Sequence, residues 1–351
     1  MIHTERLSRN FQVKKEVVEA VRGIDLHVQR GELVALLGPN GAGKSTTLRM
    51  LTTLIPPTSG SAWVAGASIV DEPAEVRRRI GYIGQGNAAG HSYRVRDELV
   101  MQGRFYGLNR SDARRRATEL IGSLDLAGLE KRGVGTLSGG QRRRLDVAMG
   151  LMHRPQLLFL DEPSTGMDPH NRANLWEHIR RMRDEHGTTM VLTTHYLEEA
   201  DAQAERVVVI DHGQVIADDT AGHLKATLAG DRITLTVQRT DLEPTVELLS
   251  RVGSEPARGT TQLGQTVSVR VQRGAECLPG VLRCLDGSGV SVLAAEVRVP
   301  TLDDVFLSLT GRSLRDEGAA VNVRDEGAAE RMRDGAHPTD TAGRLEEGAR
   351  S

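Results

Sequence analysis

The sequence predicts an α/β domain that carries a helical subdomain and is followed by a small α+β domain. Three observations predict it. A glycine-rich segment, Gly38-Pro-Asn-Gly-Ala-Gly-Lys-Ser-Thr46, joins an apolar strand at Leu33–Leu37 to residues Thr47, Leu48, Met50, Leu51 and Leu54, which continue with helical spacing. Apolar runs at Gln156–Leu160, Thr188–Thr193 and Val207–Ile210 alternate with helical stretches at Pro169–Glu185 and Leu197–Ala204, the pattern of a sheet covered by helices. Near Gly230 the composition shifts, and Arg232–Arg239, Thr266–Gln272 and Ser291–Val299 read as alternating strands.

In chain order, the first strand-like pieces are Val17–Val28, Leu33–Leu37 and Ser61–Val64, with Trp63 expected in the core. Residues 85–155 turn helical, at Arg96–Tyr106, Ser111–Leu124 and Gln141–Met152, and read as an insertion within a domain spanning 1–228. After the hairpin at 207–217, residues 230–311 form the accessory domain, with helices at Glu243–Val252, Pro279–Leu285 and Leu302–Leu309. The last of these is amphipathic and is expected to pack Leu302, Val305, Phe306 and Leu309 into its own domain. Residues 312–351 repeat Arg-Asp-Glu-Gly-Ala-Ala and predict a disordered tail.

Composition narrows the function. The 351 residues carry a net charge of −2, which gives no global pull toward nucleic acid, and the Arg triplets at 77–79, 114–116 and 142–144 read as solvated helix faces. Cys277 and Cys284 fall seven residues apart in a helix, roughly 10 Å, too far for a disulfide and without metal-site spacing. A reducing cytoplasm fits. The first residues lack the basic start and apolar stretch of a secretory leader, and no apolar run approaches ~20 residues. If a membrane is involved, another chain is expected to cross it.

The glycine-rich segment fits GxxxxGK[ST], a phosphate cradle. Gly38, Pro39, Asn40, Gly41, Ala42 and Gly43 turn the backbone so that N–H groups face phosphate oxygens, and the helix start adds roughly half a positive charge. Lys44 reaches the β- and γ-phosphates, Ser45 places its hydroxyl on Mg²⁺, and Thr46 closes the loop. Leu157-Leu-Phe-Leu160 delivers Asp161 and Glu162 at a strand's carboxyl end, where such sheets bind ligands. Asp161 is a candidate Mg²⁺ ligand and Glu162 a candidate general base. Leu137, Ser138, Gly139, Gly140 and Gln141 open a second helix start that can hold an anion.

With these motifs in order, residues 1 to 225 resemble the ATP-binding subunits of ABC transporters. Gly38–Thr46 looks like the Walker A loop, Gln85 the Q-loop, Leu137–Gln141 the signature and Leu157–Glu162 Walker B. Ser164-Thr-Gly-Met-Asp168 resembles the D-loop and His195 the switch histidine. The resemblance implies that Phe11 stacks on adenine, Gln85 touches Mg²⁺ and the attacking water, His195 contacts the γ-phosphate and Asp168 spans the subunit boundary. It also implies a homodimer in which the signature of one subunit closes on ATP held by the other.

Several stretches are similar to the daunorubicin/doxorubicin-resistance subgroup of drug exporters. They are Ser45–Leu54, Gln141-Arg-Arg-Arg-Leu-Asp146, His195–Asp201 and Pro300-Thr-Leu-Asp-Asp-Val-Phe-Leu307. That subgroup implies an ATPase using ATP and Mg²⁺, peripheral on the cytoplasmic face of the membrane, with a permease on a separate chain docking near Gln85–Tyr106. Exporters of lipid or polysaccharide stay open, as does a soluble ABC ATPase acting on ribosome or DNA. A P-loop kinase leaves Leu137–Gln141 without a purpose.

Overall fold

The structure, a computed structural model, describes residues 1–86 and 88–313, apart from the side chain of His186. From residue 314 onward the expected tail lies outside the described residues.

Strand β1 (Ile2–Val13) pairs antiparallel with β2 (Glu16–Ile24) and, at its start, with β3 (His27–Val28). β1 was not legible as a strand because its register slips between Leu7 and Ser8 and between Arg9 and Asn10, breaking the period of two. β4 (Leu33–Leu37) is wholly buried and feeds helix α1 (Lys44–Leu51). β5 (Ser59–Val64) and β6 (Ala67–Ser68) complete an antiparallel sheet in the order β2-β1-β5-β6. Trp63, expected in the core, instead faces outward at 39% exposure and stacks on His3.

The second sheet receives α2 (Pro73–Arg79) and β7 (Ile80–Ile83), which the sequence reading lacked. Helices α3 (Val95–Phe105), α4 (Arg110–Ser123) and α5 (Gly139–Leu151) follow as the helical insertion. Then come β8 (Leu157–Asp161), α6 (Pro169–His186), β9 (Thr189–Thr194), α7 (Leu197–Gln203) and the hairpin β10 (Arg206–Asp211) with β11 (Gln214–Asp219). The order is β11-β10-β4-β9-β8-β7, parallel except for the hairpin.

Alternation along β4 divides the core. Val34 and Leu36 join Ile2, Leu7, Val21 and α1 against the antiparallel sheet, whereas Leu33, Ala35 and Leu37 join the helices on the other face. Three arginines expected to be solvated lie in this second region: Arg116, Arg143 and Arg144 are 6%, 8% and 7% exposed. Their guanidinium groups are held by backbone and side-chain oxygens of neighbouring elements, which lets a charged tip sit inside.

α8 (Ala221–Leu224) runs through a π turn at Lys225–Ala229 into β12 (Asp231–Val237). α9 (Leu242–Val252), β13 (Ser254–Thr261), β14 (Gly264–Val271), α10 (Gly274–Gly287) and β15 (Val292–Arg298) follow. They build an antiparallel sheet, β13-β14-β12-β15, with its own core of Ile233, Leu235, Val267, Val269, Leu249 and Leu285. β13 escaped the pattern because it is a fully exposed edge strand carrying Pro256. α10 begins five residues ahead of Pro279, where the sequence reading started it, and holds both cysteines. The last helix, α11 (Leu302–Thr310), departs from expectation. Its Leu302, Val305 and Phe306 are buried in the core of the first domain, beside Ala200, Leu224 and Ala229, and not in the second sheet's core.

Candidate functional site

Register places the working ends of three strands side by side: Leu37 opposite Thr194, and Asp161 opposite Thr193. The phosphate loop leaves β4 at that edge. A Cβ on Gly38 would sit 2.1 Å from the Ile210 carbonyl oxygen. Gly43 has φ +104°, and a Cβ there would lie 2.5 Å from the Ala20 carbonyl oxygen. Both positions therefore require glycine. The turn after β10 braces the loop, because the Gly213 N–H donates to the Ala42 carbonyl at 2.9 Å.

Lys44 is 4% exposed, and its ammonium donates to the carbonyls of Gly38 (2.7 Å) and Pro39 (2.9 Å). Burial pushes its pKa below the ordinary lysine value, opposed by the charges of Glu162 and Asp161. A buried ammonium held only by carbonyls among the described residues suits an incoming polyanion. The residues present thus fit a nucleotide phosphate chain.

Asp161, 3% exposed, is gripped by hydroxyls from three elements: Ser45 (2.9 Å) and Thr193 (2.6 Å) on one oxygen, and Tyr82 (3.4 Å) on the other. Burial, followed by the Asp161 charge and hydrogen bond, pushes the Tyr82 phenol up to about 12, so it stays a donor. The Gln85 amide nitrogen lies 3.5 Å from Ser45 Oγ. A hydroxyl and a carboxylate converge here, hard oxygens that fit Mg²⁺ shared with phosphate, with the Gln85 amide beside them.

Glu162 has φ +48°, a left-handed backbone position that is strained for a residue other than glycine. Its N–H donates to Thr193 Oγ1 at 3.1 Å, and Thr165 donates to its Oε2 at 3.2 Å. His195 Nδ1 lies 3.3 Å from Oε1. His195 is the largest cause holding the Glu162 carboxyl below its usual range, against the opposing effect of burial. Gln85, Asp161, Glu162 and His195 are thus brought to the mouth of the phosphate loop.

Other sequence candidates stand apart. Ser138 caps α5 through a capping box with Gln141, and Ser138 and Gly139 are exposed while Leu137 and Gly140 are buried. Among the described residues no hydrogen bond joins this segment to Gly38–Thr46. Asp168 caps α6 by accepting from the Asn171 N–H at 3.0 Å and faces solvent. Phe11 pairs with Val18 across the first hairpin, and Arg9 covers one ring face at 4.7 Å. A cleft of about 540 Å³ beside Gly41 is walled by Val17, Val18, Ala20 and His212, none of them foreseen.

Sequence reasoning also missed Tyr82, Thr193, Arg143 and Glu199. Glu199, 5% exposed on α7, accepts from Ser164 and from Trp176, tying the helix that follows His195 to the segment after Glu162. The run Arg142-Arg-Arg144 was the available signal for Arg143, and it was read as surface.

A model of the ABC transporter family matches residues 21–165. The chain is 44% identical over 312 residues to a daunorubicin resistance ATP-binding protein of Streptomyces coeruleorubidus, covering 88% of this chain and 95% of that protein. It is 42% identical to a doxorubicin resistance ATP-binding protein of Mycobacterium tuberculosis, covering 84% and 90%. A Nod factor export ATP-binding protein of Cupriavidus metallidurans is 38% identical, covering 84% and 94%. Among solved structures, cbiO1 of Clostridium perfringens, part of the ABC transporter complex cbiONQ, superposes with TM-score 0.59 at 26% identity, covering 64% of this chain and 90% of that one. A dimeric ATP-binding cassette bound to ADP and phosphate superposes at TM-score 0.58 and 24% identity over 63% of this chain and 98% of that one, a likeness of fold alone.

Proposed function

The chain belongs to the ATP-binding proteins of ABC transporters, an ATP-hydrolysing family, and we propose that it powers export of a hydrophobic drug or natural product through a separate membrane permease. The observation that carries this reading is the gathering of Lys44, Ser45, Gln85, Asp161, Glu162 and His195 at one sheet edge, while Ser138 and Gly139 stay exposed elsewhere. One chain supplies the phosphate loop and the base, and a second copy supplies the signature. Two copies then enclose two ATP molecules.

In this reading Gly38–Thr46 and Lys44 bind the triphosphate, and Phe11 offers its free face to adenine near the Val17–Val18 wall. Ser45, Asp161 and Gln85 would hold Mg²⁺, which would supply positive charge against the phosphates. Glu162 takes a proton from the attacking water, its carboxylate kept ionised by His195. Asp168 and Leu137–Gln141 meet the partner copy.

No helix among the described residues is long and apolar enough to cross a membrane. Tyr93, Met101 and Phe105 are 57%, 48% and 80% exposed between Gln85 and Tyr106 in the sequence, and these exposed apolar side chains support permease docking there. The drug-resistance names of the relatives support the cargo class, and a peripheral, cytoplasmic-face location goes with the proposed permease. Co-purification from detergent-solubilised membranes tests the assignment. The reading expects a polytopic partner and ATPase stimulation by hydrophobic drugs, and recovery of the chain alone contradicts it.

A further inference from the structure

Helix α5 does more than present the signature. Arg143, five residues past Ser138, spends its guanidinium on backbone carbonyls: Nε on Pro163 (2.6 Å), Nη1 on Gly84 (2.7 Å), Nη2 on Glu162 (3.4 Å) and Asp161 (3.5 Å). One turn further, Asp146 is 2% exposed and accepts from the Ala88 N–H at 3.1 Å. Gly139, Gly140, Arg143 and Asp146 share a helix face through i,i+3 and i,i+4 spacing.

Two buried charges on one rod therefore bracket the Gln85 segment, at Gly84 and Ala88, and clasp the backbone carrying Asp161 and Glu162. Burying a guanidinium without a carboxylate partner is costly, so a position spent entirely on carbonyls fixes geometry at the expense of stability.

We propose that Arg143 and Asp146 are positioning residues that couple the two ATP sites of a dimer, carrying closure of the signature on the partner's ATP to Glu162 and Gln85 of their own subunit. The coupling rests on the shared-site reading above. It runs both ways, since a free-energy coupling between two sites is reciprocal. The signature end of α5 is exposed for a partner, whereas its second turn is locked to the base, and a rigid helix cannot move one without the other.

The test uses the full chain with Mg²⁺ and ATP, comparing Arg143→Gln with Arg144→Gln. Arg144 is as buried and on the same helix, but it donates to Asn174 and touches neither the acidic strand nor the Gln85 segment. Arg143→Gln is expected to bind ATP within about twofold of the parent and to lower kcat about tenfold or more through a misplaced base. It is also expected to lose cooperativity in ATP, whereas Arg144→Gln keeps that cooperativity. Parental kcat and cooperativity in Arg143→Gln overturn the inference, as does equal loss in both variants or a parent that hydrolyses without cooperativity. A parent that stays monomeric with ATP sinks the shared-site reading itself, which separates the two failures.

Discussion

Ser45 and Asp161, 116 positions apart in the chain, meet through a 2.9 Å hydrogen bond at the mouth of the phosphate loop. The contact joins the start of α1 to the end of β8, and Thr193 from β9 completes it on the same carboxylate oxygen. Hydroxyls from two elements thus converge on one carboxylate oxygen of a third.

Replacing that carboxylate removes the cation's anchor but leaves the loop. Asp161→Asn is expected to cut Mg²⁺-dependent turnover by about 100-fold or more, the scale of losing a preorganised charge at a reacting phosphate. Nucleotide binding without Mg²⁺ stays close to parental, which fluorescent-nucleotide titration measures. Restoration of turnover by raised Mg²⁺ fits weakened metal binding.

Lys44→Ala removes the one buried ammonium of the loop. Nucleotide affinity is expected to fall at least tenfold, read by equilibrium binding, while thermal stability changes little because burial already penalises that charge.

Acid pH should act through Glu162. Its folded pKa lies below the ordinary value, so the stability it contributes is present above the unfolded glutamate value of about 4.3 and is lost as pH falls through the folded one. His195→Ala removes the largest cause of the depression. The Glu162 titration, followed by carboxylate-selective NMR, is expected to shift upward in that variant, and an unchanged titration would show that His195 does not tune the base.

The phosphate loop and the acidic strand were readable because each is contiguous: strand, special residues, helix or turn, in one unbroken run of sequence. Tyr82, Thr193 and Arg143 were not, since each serves the site from another element and its role appears only when β7, β8, β9 and α5 are adjacent. β1 hid behind bulges, and β13 behind a polar edge sequence. The arginines at 116, 143 and 144 misled because charge alone suggests solvent, whereas inside the fold Arg116 and Arg143 donate to backbone carbonyls and Arg144 to the Asn174 side chain.

α11 supplies a stability test. Phe306 is fully buried in the first domain's core, and Phe306→Ala is expected to cost about 3–5 kcal/mol. Urea unfolding should show the loss in the transition that abolishes nucleotide binding. A loss confined to the second sheet would place the helix elsewhere.

The chain just past α11 distinguishes two truncations. Arg312 donates to both oxygens of Asp211 at 2.7 and 2.8 Å, beside the turn whose Gly213 holds the phosphate loop. Ending the chain after Ser313 should leave ATPase activity nearly parental. Ending it after Gly311 removes this ion pair and should cost up to about 1 kcal/mol of stability, seen as a lower melting temperature.

The central claim is that one chain holds ATP and the base while a second copy closes the site, and Glu162→Gln tests it most directly. Light scattering of the full-length variant with Mg²⁺ and ATP is predicted to show a stable dimer that turns over no ATP, because the base is lost and the binding surfaces remain. Hydrolysis at the parental rate, or a variant that stays monomeric at saturating ATP, would contradict the account.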